Sequence, residues 1–163
     1  MRLKEDAEFF DCEYCGDVFF PAPNEDGVRV FGEAAAESCP VCTIPLVHAS
    51  LGGHRLRYCG RCRGMLVAMD DFPAIVNDLR SRREATGDAT HPPDWTDLDR
   101  KRRCPRCDGL LDTHLYGGGG NVVIDACEHC SLVWLDYSEL DRIVRAPDPQ
   151  PSLTINRNTS GLE

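Results

Sequence analysis

Ten cysteines carry the most evident chemistry in this 163-residue chain, and all ten fall into Cys-x-x-Cys pairs. The pairs are Cys12/Cys15, Cys39/Cys42, Cys59/Cys62, Cys104/Cys107 and Cys127/Cys130. Two residues between cysteines let one tight turn aim both sulfurs at a single point, so each pair can supply half of a tetrahedral metal site. Zinc takes four such ligands at ~2.3 Å, and a closed four-sulfur shell keeps no position open for catalysis. The 16 residues between Cys42 and Cys59, and the 19 between Cys107 and Cys127, match the roughly 15–20 expected between the two halves of such a site. The spacing predicts two structural zinc ions per chain. One is held by Cys39, Cys42, Cys59 and Cys62, the other by Cys104, Cys107, Cys127 and Cys130. Iron is the nearest rival, since four-sulfur geometry does not by itself separate the two metals. Thioredoxin-like redox use needs a βαβ context that the sequence lacks. Disulfide scaffolds rarely space every cysteine this way.

The elements that must position these pairs occur twice. Cys39 aligns with Cys104 at an offset of 65, and Cys59 with Cys127 at 68; the difference falls in a turn, where "LYGGGGN" is longer than "SLGGH". Each copy runs Cys-Pro-x-Cys, a Leu (Leu46, Leu111), a His (His48, His114), a glycine turn, a returning strand and a second pair. After that pair, Leu66 aligns with Trp134 and Phe72 with Leu140. The repeat therefore predicts a small, metal-stapled α+β chain. The two units are tandem zinc ribbons, each a β-hairpin carrying two cysteine knuckles followed by a short helix. His48 and His114 are expected at equivalent hairpin positions, outside the closed metal shells. Trp134, Leu135 and Leu140 are expected to form one miniature core.

The first helix is expected to start at Asp70 or Asp71, with Pro73 in its first turn and Phe72, Ile75, Val76 and Leu79 on one face. It should end in the cationic "RSRREATGD", with Gly87 as a stop. The second helix is expected to start at Ser138, with Asp141 completing a capping box, and to end before Pro147. The domain reading is an acidic N-terminal half ribbon (1–38), ribbon one (39–87), a linker (88–103), ribbon two (104–146) and a disordered tail (147–163). Trp95, in the linker, is expected to fold back onto a ribbon, with a partner anchor as the alternative.

Cys12/Cys15 is the odd pair. "VFF" and "VRVF" are expected to form a hairpin behind it, with no second knuckle in "GEAAAES". Capture of Cys39/Cys42 by this pair would strand Cys59/Cys62. Loop closure barely separates the alternatives, at ~0.3 kcal/mol. The repeat favours leaving Cys12/Cys15 outside the paired sites, open to alkylation, to a local disulfide, or to a metal shared with a partner's ligands.

Composition narrows the function. The net charge of −9 becomes −13 with two zinc ions, each lowering it by 2 on binding four thiolates, and residues 1–38 alone carry ten acids against three bases. Nucleic-acid binding wants a basic footprint. The arginine clusters, Arg55/Arg57/Arg61/Arg63 and "RKRRCPR" (100–106), are expected to screen the thiolates instead. A protein partner is the leading expectation and a nucleic acid the alternative. The glycine run "YGGGGN" lacks the Lys and Ser/Thr of a phosphate loop, and no nucleophile–base pair is visible, so no enzyme is expected. No stretch approaches the ~20 apolar residues of a membrane span, and a cytoplasmic setting, where disulfides do not persist, is expected.

Residues 104–140 resemble the transcription-factor-IIB-type zinc ribbons of small bacterial proteins. That family runs Cys-Pro-x-Cys, Leu, hairpin, Cys-x-x-Cys, then a Trp-Leu-Asp run followed by Glu-Leu, here Trp134, Leu135, Asp136, Glu139 and Leu140. Residues 39–76 keep the cysteines and Gly64 but have Leu66 and Ala68 in place of Trp and Asp. Leu132 stands where the family often has Gly. The resemblance implies zinc and a ribbon fold, not a role in transcription initiation.

Overall fold

A computed structural model describes residues 2–3 (backbone alone), 9–83, 91–117 and 120–147. Gly87 and the tail from residue 148 onward lie outside these. The strands are β1 (Arg2–Leu3), β2 (Phe10–Asp11), β3 (Val18–Phe19), β4 (Val28–Ser38), β5 (Pro45–Leu51), β6 (His54–Tyr58), β7 (Met65–Ala68), β8 (Asp112–Leu115), β9 (Val123–Cys127) and β10 (Leu132–Leu135). Two α-helices, α1 (Phe72–Ser81) and α2 (Glu139–Arg145), and a 3-10 helix (Trp95–Asp99) complete the set. Among the described residues no helix is long and apolar enough to cross a membrane.

Each second knuckle leads first into a strand, β7 or β10, and the helix follows only after that strand. The intervening strand is what the repeat did not reveal, and it organises the whole chain. β7 and β10 pair antiparallel, joining both ribbons into one seven-stranded sheet of order β4-β5-β6-β7-β10-β9-β8. Leu66 opposes Trp134, Val67 opposes Val133, and Met65 opposes Leu135. The 68-residue offset exchanges the last two pairs, so a local pseudo-twofold axis passes through the Leu66–Trp134 pair.

Side chains alternate across a strand, and here the alternation sorts two jobs onto two faces. Val133 and Leu135 join Met65, Val67, Ile124 and Ala126 beneath both helices. Leu132 and Trp134 join Leu46, Leu66, Leu111 and four of the cysteines on the other face. Trp134 therefore does not share a core with Leu135 and Leu140, as the sequence suggests; neighbours along a strand cannot face the same way. Helix α1 contributes Phe72, Ile75 and Val76, and α2 contributes Leu140, Ile143 and Val144, to one continuous core.

Close approach at the axis explains two departures from the ribbon pattern. A Cβ on Gly64 would sit 2.3 Å from Trp134 Cζ2 and 2.7 Å from Cη2, so only glycine lets the indole pass. The offset places Leu132 at the position equivalent to Gly64, and Leu66 at that of Trp134. One unit thus carries Gly and Leu where the other carries Leu and Trp, and the large ring meets the small residue across the seam.

Several local expectations are corrected. Asp71 is the N-cap of α1 but makes no side-chain cap hydrogen bond. Ser138, the N-cap of α2, has a left-handed φ of 71° and makes none either. Asp141 pairs with Arg145 (2.7 Å) and Arg83 (3.0 Å) rather than completing a box. β3 pairs with β2, not with β4, so the Cys12/Cys15 turn lies within its own small hairpin, and "VRVF" belongs to β4 against β5. Trp95 does not fold back; it is 65% exposed. Asp94 holds this segment by accepting from Thr96 N at 3.0 Å and Oγ1 at 2.6 Å.

Gly64→Ala should destabilise the protein by about 1–3 kcal/mol, the usual cost of overpacking. Adding Trp134→Leu should recover part of that loss. Urea unfolding of the two variants measures it, and additive losses in the double variant would contradict the packing described.

Candidate metal centre

Each four-cysteine site is built from backbone upward. The first cysteine of a knuckle donates its N–H to the carbonyl five residues on: Cys39 to Ile44 (2.8 Å), Cys59 to Gly64 (2.9 Å), Cys104 to Gly109 (2.7 Å). Its own carbonyl accepts from the residue four on, Thr43 (2.9 Å), Arg63 (2.8 Å) or Asp108 (3.0 Å). Those three residues take left-handed backbone, with φ of 60°, 62° and 59°. The turn so closed leaves amides pointing at sulfur: Val41 and Cys42 N–H approach Cys39 Sγ at 3.4 and 3.2 Å, and Arg106 N–H approaches Cys104 Sγ at 3.4 Å. Hydrogen bonds of this kind favour a thiolate. Cys127 ends β9, and Ser131 (φ 52°) turns the chain after Cys130.

The structure brings Cys39, Cys42, Cys59 and Cys62 together, and likewise Cys104, Cys107, Cys127 and Cys130. Within each group the sulfurs all lie within 4.8 Å of one another. Four sulfurs at ~2.3 Å from zinc in a tetrahedron stand about 3.8 Å apart. Cys39 Sγ to Cys62 Sγ is 3.6 Å, and Cys107 Sγ to Cys127 Sγ is 3.8 Å. Burial, then the neighbouring sulfurs, push the Cys130 thiol up to about 12. Burial raises Cys62 strongly as well. Burial raises Cys39 and Cys127 too, so two thiols of each group resist ionising, and a dication at the centre is what would let all four ionise. Donor type, separation and electrostatics fit zinc.

No histidine joins either group. Register also separates His48 from His114. His48 opposes Arg57, whereas Asp125, the equivalent of Arg57, is opposed by Thr113. Thr113, not His114, is thus the counterpart of His48, and His114 faces the other way, with Nδ1 3.0 Å from Asp112 Oδ2. His129 is exposed.

Carboxylates, rather than the thiolates, hold most of the clustered arginines. Asp125 is fully buried and Glu139 is 5% exposed. Arg100 reaches Asp125 (3.1 Å), Asp136 (3.2 Å) and Glu139 (3.0 Å), and Arg102 reaches Asp125 (3.1 Å) and Asp136 (2.7 Å). Trp134 Nε1 donates to Asp136 Oδ1 at 3.0 Å, and Asp136 N–H donates to Glu139 Oε2 at 2.8 Å. The Trp-Leu-Asp and Glu-Leu residues therefore form a cradle that fastens residues 100–102 to the second ribbon. Glu37, buried on β4, takes Arg57 (3.3 Å) and Arg106 (2.7 Å), tying the two units together on the metal face. Burial opposes ionisation of Glu37, but the Arg106 hydrogen bond and the Arg57 charge hold its carboxyl below the usual range. Arg63 donates to Asp26 Oδ2 at 2.8 Å and stacks 4.4 Å from the centre of the Tyr137 ring. Asp125 and Glu37 were missed from sequence; an acid inside the apolar run "NVVIDAC" was the available signal.

Two closed four-thiolate centres on one face of an antiparallel sheet define a tandem zinc-ribbon protein, binding two zinc ions per chain in its ribbons. Residues 38–78 and 103–146 match the family described as Transcription factor zinc-finger, the transcription-factor-IIB type of zinc ribbon. The matched segments cover more than half of the 163 residues, and the chain belongs to that family. Comparison with curated proteins and with solved structures returned no match.

Two outcomes test the site. Elemental analysis of protein grown without added metal should give at least two zinc per chain and little iron; Cys104→Ser should remove one zinc and, through the shared sheet, lower the stability of both units. Structural zinc is worth ~10–16 kcal/mol in small finger peptides, so a chelator-stripped chain that stays folded would contradict this role. The second outcome concerns pH. Three carboxylates share two guanidiniums around Arg100, and burial, with the Asp136 charge adding to it, pushes Glu139 up to about 7. A raised carboxyl favours the protonated fold, so its contribution is full below the ordinary value near 4.3 and is lost as pH rises through about 7. Wild type should lose on the order of 3 kcal/mol relative to Glu139→Gln between pH 5 and 8. Denaturant titration across that range measures the difference, and parallel pH profiles would contradict it.

Proposed function

We propose that the chain is a zinc-stapled adaptor that docks other proteins, with no catalytic role. The observation that carries this reading is the neutralisation of its clustered arginines. Arg57 and Arg106 pair with Glu37, Arg63 with Asp26, and Arg100 and Arg102 with Asp125, Asp136 and Glu139. A guanidinium already paired offers little to a phosphate, and the overall charge of −9 repels nucleic acid before zinc thiolates add to it. Closed four-thiolate shells favour a structural metal. Exposed apolar side chains suit a protein surface instead. Val41 (47%) and Leu110 (65%) lie beside the first knuckles of the two ribbons, and Trp95 and Tyr137 are also open. Aromatic anchors of this kind dominate protein interfaces.

Nucleic-acid binding is the competing reading, since Arg61 and Lys101 remain exposed. Fluorescence anisotropy with random-sequence DNA and RNA at near-physiological salt separates the two. Weak or absent binding is expected, whereas sub-micromolar, salt-dependent binding would replace the adaptor with a nucleic-acid protein. Cytoplasmic placement belongs to the same proposal and rests on eight thiols grouped as ligands rather than disulfides.

A further inference from the structure

Cys12 and Cys15 form a knuckle that lacks its mate. Three of the four knuckles of the metal centres and the N-terminal turn share one backbone signature. Cys12 N–H donates to Asp17 O at 2.9 Å, Gly16 N–H donates to Cys12 O at 2.8 Å, and Gly16 is left-handed with φ 74°. These are the same two hydrogen bonds and the same left-handed fourth position seen at Cys39, Cys59 and Cys104. Yet neither Cys12 nor Cys15 belongs to a four-ligand group among the described residues, and both paired sites already hold four sulfurs. Cys15 is exposed, and Tyr14, between the two cysteines, is entirely so.

We propose that this knuckle is half of a third zinc site, completed by the same knuckle of a second copy of the chain. Two features favour a second copy over a different partner. A twofold axis through the metal makes a two-cysteine knuckle self-complementary, giving the four-thiolate set that this chain uses twice already. The knuckle is also flanked by a strand edge that has no mate among the described residues: β3 ends the small sheet of order β1-β2-β3, and Val18 (49%) and Phe19 (51%) on it are open, as is the adjoining Phe20 (58%). An edge of that kind is a template for its own antiparallel mate. Phe10 packs against Phe31 of β4 at 5.7 Å, which holds the knuckle to the main sheet rather than leaving it on a free arm.

Charge makes the association conditional on metal. Residues 1–38 carry ten acids against three bases, so two copies repel until a dication sits between them. On binding, four thiols release their protons to solvent and four sulfur–metal bonds form, with no redox step.

Native mass spectrometry and sedimentation of the full chain in reducing, zinc-containing buffer test the proposal. A dimer carrying five zinc ions is expected, four in the ribbons and one between copies. Limiting chelator should release the shared ion first and yield monomers with two zinc each. Cys12→Ser/Cys15→Ser should be monomeric, still with two zinc and an unchanged circular dichroism spectrum, which shows that the ribbons remain folded. A monomer in excess zinc would overturn the proposal, whether it holds two ions or three. So would a dimer that persists in the double variant.

Discussion

Antiparallel pairing of β7 with β10 is the contact on which the rest of the structure depends. Without it the chain would be two stapled hairpins, each too small to bury a core of its own, and metal would be their only source of stability. With it, one sheet has a helix-covered face and a metal face, and residues from both units share each core. The metals set the knuckles, the knuckles launch β7 and β10, and those strands make the seam. Metal binding and hydrophobic burial therefore reinforce each other across the whole described sheet rather than within separate fingers.

The polar contacts follow the same logic. A zinc ribbon's Trp-Leu-Asp run is easily taken for a binding surface, because it is polar at one end and aromatic at the other. Here its Asp136 accepts from the indole beside it and from two arginines of the connecting segment. The basic run that enters the second ribbon is thus an internal fastener, and residues 100–102 are held in place by buried charge. Such charge contributes little net stability over an apolar equivalent, but losing one partner is costly. It fixes where the connection runs more than how strongly it holds.

Much of this was legible in the sequence, and the limits have physical causes. Cysteine spacing and the internal repeat foretold both four-sulfur groups, because ligand geometry is a local matter of turn chemistry. Helix α1 was legible from Phe72, Ile75, Val76 and Pro73. Strands β7 and β10 were not, since four apolar residues before a helix have no period of their own. The split of Trp134 from Leu135 follows only once those residues are known to be extended. Ser138 looked like a cap, but Glu139 is drawn toward Arg100 and Asp136, a tertiary contact that no local pattern carries. Asp125 hid in an apolar strand for the same reason: its partners, Arg100 and Arg102, arrive from more than twenty residues upstream.

The unequal residues at the pseudo-twofold axis have a consequence for ancestry and engineering. Two identical ribbons could meet there only with matching side chains on both sides. Once Gly64 and Leu66 faced Leu132 and Trp134, the halves became a lock and a key. Neither can now recognise its own kind across that seam: two second halves would set indole against indole, with leucine where the ring needs room. Shuffling or concatenating single ribbons from this chain would therefore yield subunits with mismatched edges, whereas a cut in the connecting segment would leave two fragments suited only to each other.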